Sequence, residues 1–103
     1  MKRIGWILSA LLVSAAASAA EVEVRMENMQ FVPAEIRIKA GDTVRWVSTE
    51  KRGYHTVLFK AEGLDESEPL FSGDTWQHTF DQAGSYDYIC GPHPDMRGQV
   101  IVE

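Results

Sequence analysis

Apolar and polar side chains alternate along much of this chain, and that period of two restricts what it can fold into. Val22, Val24 and Met26 are interleaved with Glu21, Glu23, Arg25 and Glu27; Ile36 and Ile38 with Glu35, Arg37 and Lys39; Val44 and Trp46 with Thr43 and Arg45. Successive side chains of a strand point to opposite faces, so each stretch reads as a strand with one face buried. Further strand-like runs are Tyr54 to Phe59, Thr75 to Phe80, Ser85 to Ile89 and Gln99 to Val102. Turn chemistry separates them at Ala40-Gly41-Asp42, Lys51-Arg52-Gly53 and Ala83-Gly84, and Pro33 marks a strand entry or edge. Seven or eight short strands without a convincing helix predict an all-β chain, an antiparallel Greek-key β-sandwich. The acidic connection 61–74 interrupts the pattern, and its Glu62, Asp65, Glu66 and Glu68 read as a solvated loop, or more sharply as a docking surface.

Residues 1–20 read as a secretory leader removed from the mature protein. Lys2 and Arg3 form its basic start, Ile4 to Val13 its apolar segment, and Ser14 to Ala20 a small-residue cleavage region, with cleavage after Ala19 or Ala20 fitting equally. The apolar segment falls short of the roughly 20 residues a spanning helix needs, so no membrane anchor is expected. Residues 21–103 then form a single domain. Loss of Lys2 and Arg3 from ten basic residues leaves eight against fifteen acidic ones, a net charge of −7. Such a balance argues against nucleic acid and for a basic protein partner.

An exported chain with one cysteine, Cys90, cannot form an internal disulfide, and an unpaired thiol in an oxidising compartment calls for burial or ligation. That cysteine stands in CGPHPDM, three residues before His93 and six before Met96, in the connection expected between the Ser85 to Ile89 and Gln99 to Val102 strands. Thiolate, imidazole and thioether are a soft donor set that selects copper over calcium, magnesium or manganese. A trigonal His₂Cys copper site needs one more imidazole, from His55 or His78. His55 follows a loop at the end of the sandwich, where the 90–96 connection could reach it. His78 shares the mid-strand parity of Trp76 and Phe80 and reads as packed, so His55 is favoured. A Cys/His hydrolase would need an orienting group and an oxyanion segment that the sequence does not display. A zinc site would want more Cys, His or carboxylate donors, and a methionine ligand argues against it. A buried, inert cysteine is the remaining alternative.

These residues also carry a family resemblance. NMQFVPAEIRIKAGDTVRW (28–46), the isolated His55 and AGSYDYICGPHPDMRGQVIVE (83–103) make the chain similar to the cupredoxins, the small blue copper proteins of the plastocyanin and amicyanin type. Likeness is greatest to the amicyanin branch, through the two-residue gap between His93 and Met96. The resemblance implies a type 1 copper ion on His55, Cys90 and His93 with Met96 as weak axial ligand. It also implies a monomeric periplasmic one-electron carrier, not an enzyme, between a dehydrogenase donor and a c-type cytochrome or oxidase. A copper-delivery protein is the alternative, but Met26 and Met29 read as core and not as an exposed methionine cluster. Two departures stand out. Thr56 replaces the usual asparagine after the first histidine, and Asp95 puts a carboxylate where amicyanins carry a large apolar residue, which weakens the inference to methylamine dehydrogenase as donor.

Overall fold

The computed structural model describes residues 19–103, so all but the last two residues of the expected leader lie outside the described residues. Seven strands form: β1 (Glu21–Glu27), β2 (Gln30–Val32), β3 (Glu35–Ile38), β4 (Thr43–Ser48), β5 (Thr75–Thr79), β6 (Gly84–Cys90) and β7 (His93–Val102). They make two sheets, ordered β2-β1-β4-β5 and β3-β7-β6, and the buried side chains of both fill the space between. Among the described residues no helix is long and apolar enough to cross a membrane.

The alternation read from the sequence is the alternation of burial. In β1 and β4, Val24, Met26, Val44, Trp46 and Ser48 face inward, while Glu21, Glu23 and Arg45 face out. Their parallel register puts Arg45 opposite Glu23, and the guanidinium reaches Glu23 at 3.0 Å and Glu21 at 3.6 Å. Exposed pairs like these fix register more than they add stability, each contributing roughly 0–1 kcal/mol. The core is aromatic: Trp46 packs against Tyr88, Trp76 and Phe59 at centroid distances of 5.3, 5.4 and 6.0 Å, and Phe31 meets Tyr88 edge-on at 4.6 Å.

The expected sandwich of seven or eight strands forms with seven among the described residues, and differs in detail. Pairing is mixed, because β1 with β4 and β3 with β7 run parallel while the other ladders are antiparallel. Each parallel pair joins strands whose intervening chain crosses to the other sheet, and alternation within one strand is blind to its neighbour's direction. A short strand absent from the sequence reading, β2, folds back on β1 through Asn28 and Met29, both at positive φ (53° and 59°), as a two-residue hairpin turn.

Tyr54 to Phe59 is no strand, and the reason lies in where its amides go. His55 exchanges backbone bonds with Leu70 and Leu58 with Ile89, while Val57 N–H donates to the Ser67 hydroxyl and Thr56 N–H to the Cys90 sulfur. Four successive residues thus serve four different partners, and no continuous ladder remains.

Candidate metal centre

Where β6 meets β7 the ladder skips. Ile89 pairs with Arg97, but Cys90 pairs with His93, so Pro94, Asp95 and Met96 bulge out unpaired. Gly91 and Pro92 make the tight connection, and Pro92 and Pro94 bring no N–H that could rejoin the sheet. The bulge holds His93 beside Cys90 and then returns Met96 to the interior, where it is buried. His93 and Met96 therefore belong to the irregular start of the last strand, which begins at His93 and not at Gln99 as the sequence suggested.

The second arm arrives with the Tyr54 to Phe59 segment. Its bridge to Leu70 and the Thr56 amide on the sulfur, at 3.4 Å, set His55 against Cys90. His55 Nδ1 lies 3.5 Å from Cys90 Sγ, and His93 Nδ1 lies 3.6 Å from the same sulfur. Donor atoms of the three residues are all within 4.8 Å of one another. With a metal–nitrogen bond of about 2.0 Å and a metal–sulfur bond of about 2.3 Å, a nitrogen and a sulfur spread between tetrahedral and trigonal angles stand roughly 3.5–3.7 Å apart. The two nitrogen–sulfur separations fit one ion shared by the thiolate with each imidazole. His55 and Cys90 are buried, and His93 is half-buried.

Each donor is oriented from behind. The remaining ring nitrogen of His55, Nε2, faces Glu50 Oε2 at 3.1 Å, which fits a proton on Nε2 and a lone pair on Nδ1 toward the sulfur. Glu50 also accepts the Met29 amide at 2.8 Å. That amide, then the His55 ring, hold its carboxyl below the usual carboxylate range. Burial pushes the Cys90 thiol up, while the bond from the Thr56 amide works the other way by stabilising thiolate. A cation is the partner that such a buried sulfur needs in order to ionise.

Of the four sequence-predicted site residues, His55, Cys90 and His93 converge, and Met96 is buried next to them in sequence and lines a shallow groove with Met29, His93, Pro94 and Asp95. His78 is not among them: it stacks on Trp76 with rings 6.0 Å apart and only 10° from parallel, and meets Phe80 at 4.8 Å. Met29 corrects the sequence reading. It sits on the β1–β2 turn at positive φ, 49% exposed, and not in the core, while Met26 is fully buried as expected. Glu50 escaped the sequence reading, and Glu66 read only as part of a solvated acidic loop or docking surface. Nothing in their spacing signals a role, since one precedes a loop and the other lies in an acidic run.

Thr56 answers the question that its substitution raised. Its hydroxyl accepts the Gly91 amide at 2.8 Å, tying the His55 segment to the residue after Cys90, and donates to Glu66 Oε2 at 2.6 Å. The two ligand segments are joined without an asparagine.

Residues 18–103 match the family of copper binding proteins described as plastocyanin/azurin. The chain is 45% identical over 86 residues to an amicyanin of Paracoccus versutus, a match covering 80% of this chain and 64% of that protein, so it spans a little under two thirds of that relative's length. It is 44% identical over 91 residues to amicyanin-alpha of Methylorubrum extorquens, covering 84% and 76% of the two chains. The fold superposes on the crystal structure of Paracoccus versutus amicyanin with a TM-score of 0.70 and 41% identity, over 86% of this chain and 85% of that one. Paired sheets, a His, Cys, His donor triad at their edge, and kinship across almost every described residue place this chain in the plastocyanin/azurin family of copper binding proteins.

Proposed function

We propose that the protein is a periplasmic one-electron carrier in which copper is held by His55, Cys90 and His93, with Met96 as weak axial ligand. The convergence of two imidazoles and one thiol at separations suited to a single ion carries this reading. When bound, copper supplies one-electron chemistry between Cu(I) and Cu(II). The chain's part is to keep the donors still. His55 is fixed through Glu50, Cys90 through the Thr56 amide, and His93 between two prolines whose φ angles are locked. The edge of half-buried His93, beside exposed Pro92 and Pro94, is the route for electrons to a partner. A c-type cytochrome as acceptor and a dehydrogenase as donor suit this role. Asp95, exposed next to that edge, favours a partner with a basic rim over a wholly apolar one.

The test is to load the purified protein with Cu(II). Intense blue colour, reversible one-electron reduction, and electron exchange with a c-type cytochrome that slows as salt rises are the expected results. Colourless protein that readily gives up Cu(I) to a chelator would instead indicate copper delivery.

Export by a cleaved leader belongs to the same reading. Ala20 supports cleavage after Ala19: its N–H donates to Asp42 Oδ1 at 2.8 Å, and its carbonyl accepts the Thr43 amide at 2.9 Å. As a new N-terminus, Ala20 would place its ammonium against that carboxylate. The mass of the exported protein is expected to correspond to a chain starting at Ala20; a start at Glu21 would contradict this.

A further inference from the structure

The connection 61–74 reads from sequence as a solvated acidic loop, yet one of its carboxylates is built into the edge of the metal centre. Thr56 Oγ1 has a single proton and lies within hydrogen-bond distance of two groups. The Gly91 N–H can only donate, so the hydroxyl accepts from it and gives its own proton to Glu66 Oε2. The direction of the chain is thereby forced: Gly91 amide to Thr56 hydroxyl to Glu66 carboxylate. Chains of this kind polarise along their length, and a charged acceptor strengthens them. The room for this carboxylate comes from the glycine. A Cβ added at Gly91 would collide with the Glu66 carboxylate and come within 2.9 Å of Thr56 Oγ1. Glu66 therefore occupies the place where a side chain following Cys90 would stand. Thr56, Glu66 and Gly91 form a fitted set, and Thr56 also sends its amide to the Cys90 sulfur.

We propose that Glu66 sets the reduction potential of the copper centre: its carboxylate, held by Thr56 in the space left by Gly91, keeps a negative charge beside the Cys90–Gly91 peptide and favours Cu(II) over Cu(I). The inference rests on the electron-carrier reading. The physics is that of a fixed charge near a site whose own charge changes by one unit. An anion stabilises the more positive state, and the exposure of Glu66 to solvent reduces the effect without reversing it. The same charge contributes, after burial, to the rise of the Cys90 thiol pKa. A positioning residue of this type acts on the equilibrium between oxidation states and not on the ligand set, so the colour of the Cu(II) form is retained.

The experiment is the Glu66→Gln variant, in which the amide oxygen can still accept from Thr56 while the charge is lost. Its ratio of reduced to oxidised protein, at a fixed external potential and low ionic strength, is expected to rise about threefold to tenfold over native. Glu62→Gln, which removes an exposed charge from the same connection, is expected to change it much less. The copper-free protein gives a second readout, an upfield move of the Gly91 amide proton in Glu66→Gln as the polarising charge disappears. A Glu66→Gln potential equal to native, or an equal shift from Glu62→Gln, would overturn the proposal. Failure of the native protein to show a reversible blue couple would instead overturn the carrier reading, so the two failures are distinguishable.

Discussion

Cys90→Ser is expected to abolish the intense blue colour of the Cu(II)-loaded protein and to weaken copper binding by at least about a hundredfold. Loss of a hydrogen bond that merely supports a ligand costs about 10–100-fold in metal affinity, and this change removes the ligand itself. Cys90 is the one soft anionic donor of the cluster. A serine hydroxyl is harder and remains protonated at neutral pH, so two imidazoles and a thioether would be left facing the ion without a thiolate. The fold should survive, because a serine oxygen can still accept the Thr56 amide. The thiol, which burial raises in the metal-free protein, has to lose its proton when copper binds, so loading native protein should release a proton that loading Cys90→Ser does not. Absorption spectroscopy and unbuffered titration measure both effects. A serine variant as blue as native would remove Cys90 from the ligand set.

Gly98→Ala should destabilise the fold by about 3 kcal/mol, the upper end of what overpacking a core costs. Gly98 in β7 pairs with Tyr88 in β6, and a Cβ there would run into Cε1, Cζ and the hydroxyl oxygen of the tyrosine ring. The ring has little room to retreat: Phe31, Trp46 and Phe59 stand against it at centroid distances of 4.6, 5.3 and 5.1 Å. A domain of this size has only about 5–15 kcal/mol of stability in all, so the loss should be plain in urea unfolding of the copper-free protein. Tyr88→Phe removes one of the colliding atoms and should recover part of the loss in the double variant, a coupling that a double-mutant cycle resolves. Full additivity, or a Gly98→Ala protein as stable as native, would show that the ring moves aside freely.

Much of the architecture was legible because period two is local. Val24, Met26, Val44 and Trp46 reveal their buried face through their immediate neighbours, without reference to any distant residue. The same logic failed where a residue's backbone serves the site and not a sheet. Tyr54 to Phe59 has strand composition, but the Thr56 amide is given to sulfur and the Val57 amide to a hydroxyl. Met29 read as core since an apolar residue near an alternating run usually is. Its positive φ on a two-residue turn turns it out beside the His93 edge instead.

Among the ligands, Cys90, His93 and Met96 were legible as a soft donor set because they lie within seven residues of each other, and donor chemistry depends on residue type and short spacing. His55 was favoured over His78 on position alone, the one at an end of the sandwich and the other in mid-strand parity with Trp76 and Phe80. The fold gave the decision its physical content by stacking His78 on Trp76 and bringing His55 Nδ1 to the sulfur. What only the tertiary structure decided is the surroundings that tune the centre: the bulge that separates His93 from Met96, the Glu50 carboxylate behind His55, and Glu66 seated over Gly91. The Glu66 contact joins segments far apart in the chain, and although Glu50 is five residues from His55 and the bulge lies within 89–97, none of the three follows a period or a motif. The sequence alone therefore determined the class of fold and the chemistry of the ion, through properties that single residues and short spacings carry. The packing of two sheets determined how the donors are brought together and which charges stand around them.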